Sequence, residues 1–233
     1  MKVLNEKVKF SIITSCNDII MQDVEELLAA GVPQIFFIDT RKDRCELDTF
    51  RYLSDEDRNR IRSLKKESDQ NNYQVTHSLI NYIYSRLLKC SVAVIPYKMG
   101  IYKKPYIRND FNYHFNISHS NNYAIVGFLN SELGVDIEYY DEQLDFASLV
   151  TGLFSPKDKL YIQTERKKFF RLWTAKEAYL KYLGTGFYHD INGIACIGDG
   201  KNQITLLDMK TKSEHSVFIL EEQEYFIGLC RDE

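Results

Sequence analysis

The sequence predicts an α+β protein made of two similar halves. Strand-like alternation and helix-like spacing both recur along the 233 residues. Each half of the chain combines several predicted strands with one long predicted helix, and no low-complexity linker or short-period repeat separates them. We therefore expect an N-terminal α+β half at 1–112 and a C-terminal α+β half at 113–233.

The first half is predicted to mix strands with helices. In chain order we expect strand Val8–Ile13, helix Asp23–Ala30, strand Gln34–Asp39, a helix from Asp55 to about Glu67, helix Asn72–Lys89 and strand Ser91–Tyr97. Ser54 and Asp57 resemble a capping box, which is typical of a helix start. Asn72–Lys89 is the clearest amphipathic helix, because its apolar residues recur with helical spacing.

The second half is predicted to contain six strands and two helices. The strands are Phe115–Ile117, Tyr123–Leu129, Gly134–Glu138, Gln203–Leu207, Ser216–Leu220 and Tyr225–Leu229. One helix is expected to begin at Ser155 and Pro156, since serine is a good N-cap and proline suits the first helical position. The other is expected from about Phe169 to Leu183, ended by Gly184 as its C-cap.

Composition limits the classes of function. The 44% hydrophobic and 27% charged content is ordinary for a soluble globular protein, and the net charge of -3 gives no basic field for nucleic acid. The five cysteines are odd in number and widely scattered, which favours a reduced, cytoplasmic protein. No apolar run approaches the roughly 20 residues of a membrane span, and none suits a cleaved leader. We expect a cytoplasmic monomer without membrane or nucleic-acid partners.

Two acidic residues in a predicted strand form the first candidate site. Asp136 and Glu138 alternate with the apolar Val135 and Ile137, and the period of two in a strand puts both carboxylates on one face. Two like charges this close repel each other unless a cation lies between them. A solvated face of an edge strand is the alternative. If the strand is partly buried, oxygen ligands of this kind favour Mg²⁺.

A predicted helix supplies the second candidate. Glu177 and Lys181 are four residues apart and therefore share one helix face. They are either part of a phosphate and metal site or an ordinary surface pair worth about 0.2–0.5 kcal/mol. In the second case Lys176 is a solvating neighbour, and Trp173, the only tryptophan, belongs to the core.

Two basic segments complete the set of candidates. His119 lies between Ser118 and Ser120, and hydroxyl groups beside a histidine suit phosphate binding, although a lone histidine is commonly just a satisfied polar residue. Lys104 and Pro105 follow another lysine in a segment that is either a plain solvated turn or a source of positive charge for a nucleotide.

Taken together, these segments resemble the surfactin-type 4′-phosphopantetheinyl transferases. Phe115–Ser120 matches the family pattern F-N-[IL]-S-H-[ST], Gly134–Glu138 matches G-[IV]-D-[IV]-E, and Trp173–Lys181 matches W-[ST]-x-K-E-[AS]-[FYL]-x-K. Lys103–Ile107 resembles the G-K-P-x element, with Lys103 in place of glycine, and Thr185 stands where the family has lysine. The resemblance covers about residues 50–190, with its motifs in order and in register.

The resemblance implies a fold and a reaction. The family has two α+β halves related by a pseudo-twofold axis, with coenzyme A in the cleft between them. It transfers the 4′-phosphopantetheine arm of coenzyme A to a serine of an apo-carrier protein and releases adenosine 3′,5′-bisphosphate. Fatty-acid, polyketide and non-ribosomal peptide carriers all satisfy this expectation.

The resemblance also implies roles for individual residues. Asp136, Glu138 and Glu177 would hold Mg²⁺ on the pyrophosphate of coenzyme A, Glu177 or a water it holds would act as the base, and Lys181 would stabilise the phosphate charge. His119 would bind a phosphate, first of all the 3′-phosphate. The other expected cofactor contacts are Ser118, Lys104, Pro105, Lys176 and, by position along the first long helix, His77 and Ser78.

Two rival functions use the same residues. A binding module would hold coenzyme A or a carrier domain without turnover, and would not need Glu177 or Lys181. A metal-dependent phosphohydrolase would need a water nucleophile and commonly more histidine or aspartate ligands than this set offers.

Overall fold

The protein forms two compact units. The structure is a computed structural model that describes residues 11–13, 26, 28, 31–41, 49–108 and 113–232. The first unit takes in the described residues up to Met99 together with Pro105–Ser131, and the second takes in Gly100–Lys104 and the residues from Glu132 onward. Each unit combines helices with a mainly or wholly antiparallel sheet, which confirms the α+β class.

The first unit has a four-stranded sheet and a separate hairpin. Its strands are β1 Ser11–Ile13, β2 Gln34–Asp39, β3 Tyr97–Met99, β4 Pro105–Ile107, β5 His114–Ser120 and β6 Tyr123–Leu129. The sheet order is β1-β2-β6-β5, with β1 parallel to β2 and the other neighbours antiparallel, while β3 and β4 form the hairpin. Because β6 pairs with β2 and β5 pairs with β6, these two strands belong to the first unit. The chain therefore divides after residue 131, later than the expected boundary between residues 112 and 113.

The helices of this unit whose whole length is described are α1 Asp55–Ser63 and α2 Glu67–Leu87. Ser54 and Asp57 form the predicted capping box at the start of α1. Leu79, Ile80 and Ile83 of α2 are fully buried in one apolar cluster with Phe128 and other sheet residues. Each such side chain contributes about 1.5–3 kcal/mol by leaving water.

The second unit has a five-stranded antiparallel sheet and three helices. The strands are β7 Leu133–Tyr139, β8 Ile194–Gly200, β9 Gln203–Asp208, β10 Ser213–Glu221 and β11 Tyr225–Arg231, in the order β7-β11-β10-β9-β8. The helices are α3 Phe146–Leu153, α4 Pro156–Ile162 and α5 Arg166–Leu183. Gly184 ends α5 in the left-handed conformation, as the sequence predicts.

Two glycines let α5 lie directly on the sheet. A Cβ on Gly134 of β7 would overlap the carbonyl oxygen of Ala178 and the backbone of Tyr182. A Cβ on Gly228 of β11 would lie 2.9 Å from the carbonyl oxygen of Thr174. Only glycine permits so close an approach of backbone to backbone. Because Gly228 pairs with Asp136 in the sheet, this approach fixes the distance between α5 and the acidic strand.

Several predicted elements need correction. Ser91–Tyr97 is not a strand: Val92–Val94 forms a short 3-10 helix, and Val94 is 63% exposed, so the run buries too little for a core strand. The long helices start earlier than predicted, at Glu67 and Arg166, while α3 and β8 were not predicted. Of the first two predicted elements, the described residues cover only Ser11–Ile13, Glu26 and Leu28. None of the described helices is long and apolar enough to cross a membrane.

Candidate functional site

The acidic strand β7 places both predicted carboxylates beside α5. Asp136 and Glu138 lie two and four residues after Gly134, so they share the strand face that meets the helix. Asp136 is 2% exposed, and Val135 and Ile137 on the opposite face are fully buried. The strand is therefore not a solvated edge, and the burial makes the charge of Asp136 costly unless it is compensated.

Two side chains of α5 bind these carboxylates. Lys181 Nζ lies 2.6 Å from Asp136 Oδ1, and the Trp173 indole N–H donates to Glu138 Oε1 at 2.9 Å. The helix thus runs antiparallel to the strand, with residue 173 at residue 138 and residue 181 at residue 136. Trp173 also packs against aromatic rings of the core, as the alternative interpretation expected, but its polar edge faces the site.

Glu177 lies between these two contacts on the same helix face. Burial and the nearby charge of Asp136 raise the pKa of Glu177 to about 7, although Lys181 opposes the shift. Its Oε1 atom is buried, and no donor among the described residues hydrogen-bonds to it. A buried carboxylate oxygen without a donor, next to a second carboxylate, is an arrangement that a cation would stabilise.

A complete three-ligand metal site is not assembled. Within the described ranges, no three side chains of histidine, cysteine, aspartate or glutamate are grouped so that they could hold an ion. Glu138 is turned toward Trp173, and the ammonium group of Lys181 supplies positive charge at Asp136. The donors are nevertheless the hard oxygens that Mg²⁺ prefers, and Mg²⁺ commonly takes one or two carboxylates together with phosphate oxygens and water.

Lys176 does not face the site. It is fully buried, donates to Asp158 Oδ2 at 2.7 Å and to the carbonyl oxygen of Ile191 at 3.2 Å, and lies 4.8 Å from the centre of the Phe154 ring. Burial lowers the pKa of Lys176, and the charge of Asp158 opposes this effect. The expected cofactor contact of Lys176 therefore conflicts with its burial, and the lysine is an interior group of the second unit.

Lys104 joins the end of α5 to the start of β7. Its Nζ donates to Glu132 Oε2 at 2.7 Å and to the carbonyl oxygens of Leu133 and Tyr182 at 3.1 and 3.4 Å. The Tyr182 carbonyl is one of the last four of the helix, which have no intrahelical partner. Lys104 was expected to contact a nucleotide, but its ammonium group already has three oxygen partners within the second unit. Pro105 begins β4 and is half-buried.

The turn before Lys104 explains one departure from the family pattern. Lys103 has a φ of 67°, which is the left-handed conformation that glycine adopts without strain. Its backbone N–H donates to the carbonyl oxygen of Gly100 at 2.9 Å, closing a tight turn. The lysine thus keeps the backbone conformation expected of glycine at a cost of about 1 kcal/mol.

His119 and Ser118 lie on β5 of the first unit. His119 is exposed, whereas Ser118 is 5% exposed and faces the opposite side of the strand. They pair with Ala124 and Ile125 of β6. His119 is exposed, so its imidazole is accessible to a ligand. The side chain of Ser118 is buried, so a ligand could contact Ser118 only through its backbone.

His77 and Ser78 belong to the interior of the first unit rather than to an open site. Ser78 is fully buried, so the expected cofactor contact is not available to it. His77 Nδ1 lies 3.2 Å from Asp57 Oδ1, within ion-pair distance but without hydrogen-bond alignment, and its ring stacks on Tyr73. Burial by itself raises the pKa of Asp57, and the contacts with His77 and Ser54 bring it below the ordinary value.

Comparison with known proteins decides the family. The profile of the 4′-phosphopantetheinyl transferase superfamily matches residues 132–230, which contain the acidic strand and α5. The profile of the N-terminal region of 4′-phosphopantetheinyl transferases matches residues 42–129. The chain belongs to this superfamily. The two profiles meet at the point where the structure divides the chain into units.

Individual 4′-phosphopantetheinyl transferases are similar to the chain. The enzyme gsp of Aneurinibacillus migulanus is 32% identical over 161 residues, 65% of each chain. Sfp of Bacillus subtilis strain 168 is 28% identical over 138 residues, 58% of this chain and 62% of its own. A further Bacillus subtilis enzyme is 28% identical over 186 residues, 76% of this chain and 81% of its own. The chain thus spans less than two thirds of the length of the first two.

Sequence reasoning missed some residues that build this candidate site. The contact of Trp173 with Glu138 was not expected, because residue spacing does not reveal which way an indole turns. Asp158 was not singled out as a partner of Lys176, although its place three residues after the N-cap Ser155 was a usable signal. The role of Gly134 was likewise hidden, since close helix packing leaves no local pattern.

Proposed function

We propose that this protein transfers the 4′-phosphopantetheine arm of coenzyme A to a serine of an apo-carrier protein, in a Mg²⁺-dependent reaction that releases adenosine 3′,5′-bisphosphate. The carrying observation is the group formed by Asp136, Glu177 and Lys181, where the buried Asp136 and the half-buried Glu177 lie beside an ammonium group. Phosphoryl transfer needs positive charge on the phosphate oxygens and a base near the attacking hydroxyl, and these three side chains supply both.

Asp136, Glu177 and Glu138 are the residues that would hold Mg²⁺. The half-buried Glu177 already interacts with the buried Asp136, and Glu138 would join them if its carboxylate turned from the Trp173 indole. When bound, the metal neutralises charge on the transferring phosphoryl group. Its presence would also relieve the repulsion between these two carboxylates.

Glu177 is the proposed base. Without a metal, burial and Asp136 raise the pKa of Glu177 to about 7, and a nearby cation would favour the ionised form that can accept a proton. It accepts the proton of the carrier serine hydroxyl, directly or through a water, while the serine oxygen attacks the β-phosphorus of coenzyme A. The bond from that phosphorus to the bridging oxygen breaks, and adenosine 3′,5′-bisphosphate leaves with that oxygen.

Lys181 supplies the second positive charge. It pairs with Asp136 at 2.6 Å and its side chain is 27% exposed, so the ammonium group lies at the boundary between the interior and solvent. In this role Lys181 would turn from Asp136 toward the phosphate oxygens. The charge that builds there during transfer makes this contact stronger in the transition state than in the ground state.

Binding of coenzyme A is assigned mainly to His119, whose exposed imidazole would contact a phosphate, first of all the 3′-phosphate. Lys104 contributes by holding the end of α5 against the start of β7, rather than by contacting the nucleotide. We further propose a cytoplasmic location, in keeping with the free thiols of Cys90, Cys196 and Cys230.

The decisive experiment is incubation of the protein with coenzyme A, Mg²⁺ and a panel of apo-carriers, followed by intact-mass analysis. Addition of the phosphopantetheine arm to a carrier, with one equivalent of adenosine 3′,5′-bisphosphate released, is the expected result. Cleavage of coenzyme A without addition would favour a phosphohydrolase. Retention of intact coenzyme A by the protein, without turnover on any carrier, would favour a binding module.

A further inference from the structure

Lys176 and Glu177 are adjacent on α5 but face different sides of the helix. Successive residues of an α-helix are about 100° apart around its axis, so the direction of one largely fixes the direction of the next. Lys176 is buried toward α4 and Ile191, whereas Glu177 interacts with Asp136 on β7. Any rotation of α5 that moved Glu177 away from the acidic strand would pull Lys176 from its partners.

Asp158 is the fixed point to which Lys176 is bound. Its Oδ2 accepts from Ser155 N at 3.3 Å, from Ser155 Oγ at 2.7 Å and from Lys176 Nζ at 2.7 Å. Its Oδ1 accepts from the backbone N–H of Cys196 in β8 at 2.9 Å. One carboxylate therefore ties the start of α4 and the strand β8 to the middle of α5.

The burial of this pair makes it a stiff connection. Both side chains are 0% exposed, so water cannot hydrate either charged group while the unit stays folded. Removing one member of a buried ion pair leaves an uncompensated charge, which is strongly unfavourable. The ammonium group is also held in place by the Ile191 carbonyl and the Phe154 ring, which leaves α5 little freedom to turn.

We propose that Asp158 and Lys176 are a positioning pair that fixes the rotation of α5 and thereby directs Glu177 at Asp136. This inference rests on the proposed function, because it assigns the pair to the placement of the proposed base. Neither residue touches substrate. Their contribution is to hold Glu177 and Lys181 in register with the acidic strand, where a displacement of about 1 Å can lower a rate by about 100-fold.

The test separates positioning from simple stability. The variant D158N/K176M removes both charges, so it should be more stable than Lys176→Met, in which Asp158 stays as an uncompensated buried charge. Its amide can accept at only one of the two oxygen positions of Asp158, so it should remain less stable than the wild type. Melting temperature, kcat, KM for coenzyme A and the emission of Trp173, the only tryptophan, are measured for each folded variant. Trp173 is on α5 and bound to Glu138, so its emission reports the rotation of the helix independently of activity.

Positioning predicts that D158N/K176M melts above Lys176→Met yet shows a kcat lower than wild type by about 10- to 100-fold, a smaller change in KM and a shifted emission maximum. The matched control is Tyr179→Phe, which removes another buried hydrogen bond of α5, to Asp208 at 2.9 Å. It should lower the melting temperature and leave kcat and emission unchanged. Wild-type kcat and emission in D158N/K176M would overturn the proposal.

If D158N/K176M does not fold, Asp158→Glu carries the test, because it keeps both charges and lengthens the link by one methylene. A reduced kcat with shifted emission supports the proposal, and wild-type values of both overturn it. The outcome stays distinct from that of the proposed function. If the wild-type protein transfers nothing to any carrier, the proposed function fails, while the emission measurements still decide whether the pair sets the rotation of α5.

Discussion

Each of the two units anchors its long helix to the aspartate of a capping box, but the two anchors differ. Each has a short helix that starts with a serine capping box, and in each the aspartate of that box is bound by the long helix that follows. In the first unit, Asp57 accepts hydrogen bonds from Tyr73 and Asn81 of the long helix, and the side chain of His77 beside it is 19% exposed. In the second unit, Asp158 is matched by the fully buried Lys176.

The difference follows what the long helix must face. The helix α2 buries Leu79, Ile80 and Ile83 in an apolar cluster, so packing by itself holds it in place. Because α2 carries none of the residues proposed for the reaction, a small rotation of it would not disturb the proposed chemistry. The helix α5 must instead keep Glu177 and Lys181 opposite an acidic strand. A buried, directional ion pair therefore anchors the helix that carries the proposed base and Lys181, and a more exposed polar network suffices for the other.

The largest expected effect concerns the acidic strand, which has no counterpart among the described strands of the first unit. Asp136→Ala should lower transfer by at least about 1000-fold, since it removes one of the two interacting carboxylates and the partner of Lys181. The melting temperature should change little, because loss of the ion pair is offset by relief of the repulsion with Glu177. The exposed Glu142→Ala is the control and should keep full activity. Wild-type turnover of Asp136→Ala at saturating Mg²⁺ would contradict the metal assignment.

The comparison of the two anchors is itself measurable. Lys176→Met should cost about 3–5 kcal/mol of unfolding free energy, because Asp158 is left as a buried, uncompensated charge. His77→Phe keeps the stacking on Tyr73 and leaves Asp57 its bonds to Ser54 and Asn81, so it should cost only about 1 kcal/mol. Chemical denaturation of both variants gives the two values. Equal losses would remove the distinction between the anchors.

A pH dependence should appear at Glu177. Its folded-state pKa of about 7 lies above the ordinary value of 4.5, so its contribution to stability is present below about pH 4.5 and is lost as the pH rises through 7. Glu177→Gln lacks this loss. In a metal chelator, the wild-type protein should therefore become less stable relative to Glu177→Gln, by about 1–3 kcal/mol, between pH 4.5 and 8. Parallel stability profiles of the two proteins would contradict the raised pKa.

The smallest expected effect concerns the turn at Lys103. Lys103→Gly should relieve the strain of the left-handed conformation but also add freedom to the unfolded chain, so the net gain should be about 0.5 kcal/mol or less. Lys212→Gly, at another positive φ in a turn, is the matched control. A clear loss of stability in Lys103→Gly would show that the lysine side chain stabilises the turn by some other contact.

Local sequence patterns predicted the parts of the site but not its assembly. The alternation around Asp136 and Glu138 gave the strand β7, and the spacing of Glu177 and Lys181 gave one face of α5. Lys176 points inward because it binds Asp158, which is 18 residues earlier. Lys104 is engaged because its ammonium group donates to the Tyr182 carbonyl in the last turn of α5. Such contacts arise from tertiary packing, and neither periodicity nor a family motif encodes them.

The central claim is that the second unit transfers a phosphopantetheine arm by means of Glu177 and Lys181. The most direct test is the intact mass of an apo-carrier after incubation with coenzyme A, Mg²⁺ and either the wild-type protein or the swapped variant E177K/K181E. The swap keeps opposite charges four residues apart on α5 but puts a cation at the proposed metal position and an anion beside the phosphate. We predict addition of the arm by the wild type and a rate lower by orders of magnitude for the folded swap variant, and equal transfer by both proteins would contradict the claim.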